Sequence, residues 1–201
     1  MPGSPTGRQA LGESEAVLVD QAASFKKLVR ESPTLGMEPP EGAVVLFNGK
    51  SGDAFDGARL TADGLLMEGV TSKQKFGSCK VHLEFRLPYQ PNDRDQGRGN
   101  SGCYLQGRYE VQILDSFGLE GKNNECGGLY SIKDPDLNMC FPPLVWQTYD
   151  IIFEAPRWDE AGKLIKKACV TVIQNGAVLH HRKEYMGPTS HKELNSYDHT
   201  K

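Results

Sequence analysis

Gly99-Asn100-Ser101-Gly102-Cys103-Tyr104-Leu105-Gln106-Gly107-Arg108-Tyr109-Glu110-Val111-Gln112-Ile113-Leu114-Asp115 carries two short apolar/polar alternations behind a glycine-flanked turn. A period of two sends successive side chains to opposite faces of a strand, so Glu110 and Gln112 share one face and Val111 and Ile113 the other. Asp115 has the opposite parity and joins Glu110 and Gln112 only if a bulge adds a residue to the strand. Acidic and amide groups in a row, backed by an apolar face, suit a groove that binds or cleaves carbohydrate.

The same pattern continues on both sides of this stretch. Residues 43–47, 65–70, 79–87, 102–106, 109–114, 128–131, 146–154, 168–174 and 177–183 read as strands. Asn175-Gly176, between the last two, is a two-residue hairpin turn whose positions both need positive φ. No useful helical periodicity interrupts the strands, and there is no internal repeat. Many short strands with Gly, Pro and Asn turns predict an all-β fold, an antiparallel β-sandwich or jelly roll rather than a parallel sheet.

Residues 1–40 read as an extension. Its first part is rich in Pro, Gly and Ser and lacks the apolar content to order itself. An amphipathic helix is expected from Ser14 to Glu31, with Val17, Phe25, Leu28 and Val29 on its apolar side, before Pro33, Pro39 and Pro40 break the chain into a linker. Residues 41–188 form the strand-rich domain, and 189–201 a polar tail without strand pattern. No basic segment followed by an apolar one reads as a secretory signal.

A chain of 201 residues suits one core-forming domain. Its formal net charge of −3 and pI near 6.0 argue against nucleic acid as a partner. No apolar run approaches the roughly 18 residues of a membrane span. Of the five cysteines, Cys103 and Cys169 read as small buried hydrophobes. Cys126 and Cys140 close a loop short enough for a disulfide, but pairing is not readable from sequence. No zinc spacing is present, and neither His82 nor His180 is placed as a ligand. The expectation is therefore no cofactor. The long polar loop 88–99 offers Asp93 and Asp95 as a weak calcium signal and reads better as a lip over a groove.

Strand parity also sorts the other polar residues. Val81, Leu83, Phe85 and Leu87 face the core, with His82, Glu84 and Arg86 opposite; Tyr149, Ile151 and Phe153 face it, with Asp150 and Glu154 opposite. If these strands share one curved sheet with 109–114, its outer face presents Glu84, Arg86, Glu110 and Gln112 as one polar patch. Trp146 and Tyr104 are candidate stacking platforms for a pyranose ring, or ordinary packing residues.

Several motifs occur in a fixed order: Val45-Leu46-Phe47-Asn48-Gly49-Lys50, His82-Leu83-Glu84-Phe85-Arg86, Gly99-Asn100-Ser101-Gly102, Tyr109-Glu110-Val111-Gln112-Ile113-Leu114-Asp115, Gly127-Gly128-Leu129-Tyr130, Pro142-Pro143, Trp146-Gln147-Thr148-Tyr149 and Asn175-Gly176. In this order the segment resembles the 3-keto-disaccharide hydrolase domain family. The resemblance implies a concanavalin-A-like jelly roll with sugar on a concave sheet, and a secreted or periplasmic setting. It implies cleavage of glycosides already oxidised at C3. There a base removes the acidified C2 proton and the C1 substituent leaves by elimination. Carried onto this sequence, Glu110 becomes the base or acid and Arg86 and Gln112 stabilise the enolate or bind hydroxyls. Glu84 orients Arg86, while Asn100 and Ser101 line the groove rim.

Glu110-x-Gln112-x-x-Asp115 also resembles the Glu-x-Asp-x-x-Glu strand of laminarinase-type glycosidases, with an amide in the middle and a shorter last acid. That departure ranks a conventional retaining glycosidase below keto-sugar chemistry. A non-catalytic carbohydrate-binding module is the remaining alternative. Members of the family usually continue into a closing strand, where this chain has its polar tail. An unpaired sheet edge that invites a homodimer is the corresponding expectation.

Overall fold

The computed structural model describes residues 28–189. The chain divides between residues 30 and 31, and every described strand lies in the second unit. The expected helix over 14–31 and the tail from residue 190 lie outside the described residues, apart from 28–31, which are not helical.

The strands are β1 (Phe55–Asp56), β2 (Thr71–Ser72), β3 (Cys79–Arg86), β4 (Asn100–Leu105), β5 (Tyr109–Leu114), β6 (Trp146–Glu154), β7 (Arg157–Trp158), β8 (Leu164–Lys166), β9 (Cys169–Gln174) and β10 (Ala177–Glu184). Four of them form an antiparallel sheet in the order β10-β9-β6-β3, and β4 and β5 form a hairpin. The hairpin packs on that sheet as an antiparallel β-sandwich, the expected fold class.

Parity builds the interior. Tyr109, Val111 and Ile113 of β5 meet Tyr149, Ile151 and Phe153 of β6 and Val170 and Val172 of β9, with the apolar side of β3 packed against them. The Tyr109 ring lies 5.6 Å from Phe153 and 5.0 Å from Tyr185. Each such ring or branched chain taken from water contributes about 1.5–3 kcal/mol, so this row of contacts sets how the hairpin docks. Asn175 and Gly176 adopt φ of 50° and 82°, the positive pair that the β9–β10 turn requires.

Three expected strands come out differently. Residues 43–47 form no strand, and Val44 and Val45 are exposed. Residues 65–70 contribute a single bridge from Leu66 to Leu60. The stretch 128–131 is reduced to Leu129, bridged to Val111 and Lys133. Gln112 N–H donates to Gly128 O at 2.9 Å and Gly127 N–H to Gln112 O at 2.9 Å, so this segment occupies the edge of β5. Thr189 continues that cover: its N–H donates to Arg108 O at 2.8 Å and its Oγ1 accepts from Glu110 N–H at 3.1 Å. The edge of β5 is thus paired rather than open.

The proline-broken linker also has structure. Thr34 Oγ1 donates to Asp150 Oδ2 at 2.8 Å and Gly36 N–H to Glu84 Oε1 at 2.5 Å. Ser32 Oγ lies 2.5 Å from Thr148 Oγ1. The segment from Ser32 to Gly36 therefore straps the outer face of the four-stranded sheet, which is why Thr148 is fully buried there.

Candidate functional site

The β4–β5 register pairs Tyr104 with Glu110 and Gly102 with Gln112, without a bulge. Asn100, Gly102 and Tyr104 therefore share a face with Glu110 and Gln112, and this face points away from the core. Gln106 and Gly107, both at positive φ, make the turn that sets this register, closed by Arg108 N–H donating to Leu105 O at 3.1 Å.

Glu110 is 5% exposed, whereas Tyr104 is 54% exposed. Between them the Tyr104 hydroxyl donates to Glu110 Oε2 at 2.6 Å. A carboxylate taken this far from water needs such donors, because an uncompensated buried charge is expensive. Gly102 makes the position available: a methyl there would stand 2.1 Å from Glu110 Oε1. Burial of the phenol, followed by its bond to Glu110, raises the Tyr104 pKa and keeps the hydroxyl protonated.

Gln112 extends this row into an amide cluster. Its Nε2 donates to Gln96 Oε1 at 3.1 Å and Asn100 Oδ1 at 3.4 Å, and its Oε1 accepts from Ile113 N–H at 3.1 Å. Asn100 Nδ2 donates to Gln96 O at 3.0 Å, and Gln96 Nε2 to Asn124 O at 2.8 Å. Gln96 belongs to a one-turn 3-10 helix, Asp95–Gly97, inside the long polar loop. That loop is pinned against the hairpin through Gln96. No group of three or more His, Cys, Asp or Glu side chains is arranged for a metal among the described residues.

The structure brings Glu110, Gln112 and Asn100 together and separates the others. Glu84, Arg86 and Trp146 lie on the outer face of the four-stranded sheet, across the core from Glu110. Packed sheets stand about 10 Å apart, so a single patch joining Arg86 to Glu110 does not exist. Arg86 instead pairs with Asp63 at 3.2 Å and lies 5.5 Å over the Trp146 ring. Glu84 accepts from Gly36 and sits 3.4 Å from His82, so it does not orient Arg86. Ser101 pairs with Ile113 and has the core-side parity. Asp115 follows an unbulged strand, so the condition for joining Glu110 fails; it is buried, with its N–H donating to Gly99 O at 2.9 Å. Cys126 and Cys140 are buried free thiols rather than a disulfide.

Sequence reasoning offered Tyr104 only as a stacking platform or packing residue, not as the partner of Glu110, and left Gln96 out of the site. Tyr104 had a signal: a hairpin turning at Gly107 sets it opposite Glu110. Gln96 had none, since a lone glutamine in a polar loop carries no period.

A profile of the 3-keto-alpha-glucoside-1,2-lyase-like domain family matches residues 42–200. A candidate glycosyl hydrolase from Parabacteroides distasonis of known structure is 30% identical, with a TM-score of 0.72, over 95% of this chain and 85% of its own. A second candidate glycosyl hydrolase from the same organism is 17% identical with a TM-score of 0.48, over 73% of this chain and 78% of that one. No curated protein matches the chain.

Proposed function

The chain belongs to the 3-keto-alpha-glucoside-1,2-lyase-like domain family, and we propose that it cleaves the glycosidic bond of sugars oxidised at C3, with Glu110 as the base. A carbohydrate-active, bond-cleaving role is supported by the family and by its similarity to a candidate glycosyl hydrolase. The observation that carries the finer reading is the buried carboxylate of Glu110, held at 2.6 Å by the hydroxyl of the half-exposed Tyr104.

A ketone at C3 acidifies the C2 proton. A base removes it, the electrons pass to the carbonyl oxygen as an enolate, and their return expels the C1 substituent. This route needs one well-placed carboxylate. Conventional retaining hydrolysis needs two, about 5–5.5 Å apart. Along the Glu110 face the next residue is the amide Gln112, so the chemistry with one carboxylate fits better. The exposed amide of Asn100 would bind sugar hydroxyls as both donor and acceptor, with the buried Gln112 amide holding it from behind.

The test is turnover of a disaccharide and its 3-keto counterpart by wild type and Glu110→Gln. Cleavage of the keto form alone, reduced about 10²–10⁴-fold in the variant, is the expected result. Cleavage of the unoxidised disaccharide refutes the reading. Binding of either sugar without cleavage moves the chain to the binding-module class.

A further inference from the structure

The elimination above creates a negative oxygen at C3, and a site for it must supply a donor there. Arg86, the cationic candidate, is across the sandwich. We propose that the Tyr104 hydroxyl is the catalytic donor that stabilises the C3 enolate, taking over this oxygen as Glu110 becomes protonated. The assignment rests on the elimination reading of the site.

Three features point to this residue. The hydroxyl is in contact with the base, 2.6 Å from Glu110 Oε2. It lies on the solvent side of that base, since Tyr104 is half exposed and Glu110 is not. Any sugar that brings C2–H to Glu110 therefore brings C3, one bond away, beside Tyr104. Finally, Tyr104 and Glu110 are cross-strand partners on a hydrogen-bonded hairpin, so their spacing is preset by the backbone rather than by a loop.

Charge accounting favours a hydroxyl. In the resting site Tyr104 donates its one proton to the Glu110 carboxylate. When Glu110 takes the proton from C2, the C–H electron pair forms the C2=C3 bond and the carbonyl pair moves onto the C3 oxygen. Glu110, now neutral, is a poor acceptor, and the Tyr104 O–H turns to the enolate. As the C1–O bond breaks, the enolate electrons return to give a C1=C2 double bond and the C3 ketone. The proton held by Glu110 passes to the departing oxygen, and Tyr104 turns back to the carboxylate with its own proton. One donor thus follows a single negative charge across a few bonds, with little reorganisation. In the resting site burial and the charged Glu110 raise its pKa, so it starts the reaction as a loaded donor.

The experiment uses aryl 3-keto-glucosides of graded leaving-group acidity in D₂O, following C2–H exchange and cleavage by NMR. Wild type, Glu110→Gln and Tyr104→Phe are compared, with melting curves confirming that each folds. Tyr104→Phe should slow exchange and cleavage together by about 10²- to 10³-fold, the cost of one oxyanion donor, and equally for good and poor leaving groups. Fluorotyrosine at position 104 should restore activity and move its alkaline limit to lower pH, which a purely structural role would not do. Wild-type exchange in Tyr104→Phe overturns the assignment. So does a defect that grows with leaving-group basicity, which would make the hydroxyl the acid for the departing oxygen. If wild type cleaves without C2 exchange or an elimination product, the elimination reading itself falls.

Discussion

Gly102→Ala probes the site without touching any polar group. A methyl on Gly102 would lie 2.1 Å from Glu110 Oε1, 2.8 Å from its Cδ and 2.9 Å from its Cγ. All three clashes are with one side chain, so the strand can stay where it is and Glu110 must move. Non-bonded heavy atoms settle near 3.5 Å or beyond, so the carboxylate retreats by about 1 Å or more. That breaks its 2.6 Å bond to Tyr104. A misplacement of about 1 Å costs on the order of 10²-fold in rate, or about 2.7 kcal/mol of transition-state stabilisation. Stability should change less. Overpacking costs about 1–3 kcal/mol, and replacing a strand glycine by alanine offsets about 0.5–1 kcal/mol of that, since φ at Gly102 is not positive. A net loss of about 0–2.5 kcal/mol lowers Tm by less than about 10 °C. The assay is kcat/KM on the 3-keto disaccharide beside a thermal melt. In the double variant with Glu110→Gln, the two rate losses should overlap rather than multiply, because both act through one carboxylate. A folded Gly102→Ala protein with wild-type turnover, or fully multiplicative losses, would refute the geometry argued here.

Other consequences lie on the opposite face. Arg86→Ala removes the pair with Asp63 and the stack on Trp146, yet kcat/KM should match wild type, because the core separates Arg86 from Glu110; a large loss of turnover would contradict that separation. Thr34→Val deletes hydrogen bonds to Asp150 and Thr148, both at 2.8 Å, while keeping the side-chain shape. It should lower stability by about 1–2 kcal/mol in urea titration, and an unchanged midpoint would mean that the strap contributes nothing. For His82, burial disfavours the charged ring, but hydrogen bonds to Asp150 and Glu84 outweigh it and raise the pKa. A raised folded-state pKa gives stabilisation that is complete below the ordinary histidine value of 6.5 and is lost as pH rises through the folded value. Urea midpoints at about pH 5 and pH 8 should differ less in His82→Gln than in wild type, and equal differences would exclude this linkage.

Long alternating strands were legible in the sequence. Tyr109–Leu114 and Trp146–Glu154 begin and end where the alternation does, because one face of each must be buried. Asn175-Gly176 was legible because few dipeptides tolerate two positive φ angles. What parity does not contain is which sheet a strand joins. Glu84, Arg86, Glu110 and Gln112 all have the outward parity, but the sandwich has two outward faces. Distant pairing is likewise invisible in a local pattern. The apolar run at 43–47 looks like a strand yet pairs with none of the described strands, whereas the proline-broken Ser32–Gly36 segment finds partners on β3 and β6.

The candidate site is anchored from behind by polar groups that hydropathy alone would never place in a core. Gln147 and Gln174 are fully buried, with Gln112 almost so. Their hydrogen bonds run in one direction through the sandwich. Gln174 Nε2 donates to Cys126 Sγ at 3.3 Å, Cys126 Sγ lies 3.1 Å from the Tyr149 hydroxyl, and that hydroxyl donates to Gln112 O at 2.6 Å. Because the tyrosine proton is committed to Gln112, the thiol must be the donor in the middle step. Each group in this row is desolvated, so each is costly unless paired, and a shift of β5 by one residue would leave several unpaired at once. Apolar packing alone would tolerate small slides of the hairpin on the sheet; a directed polar row would not. The backbone of Gln112, two residues from Glu110 on the same strand, is thereby held in register against the four-stranded sheet. Precise placement of the carboxylate then follows from the interior, and the loop carrying Gln96 is pinned to the hairpin through Gln112.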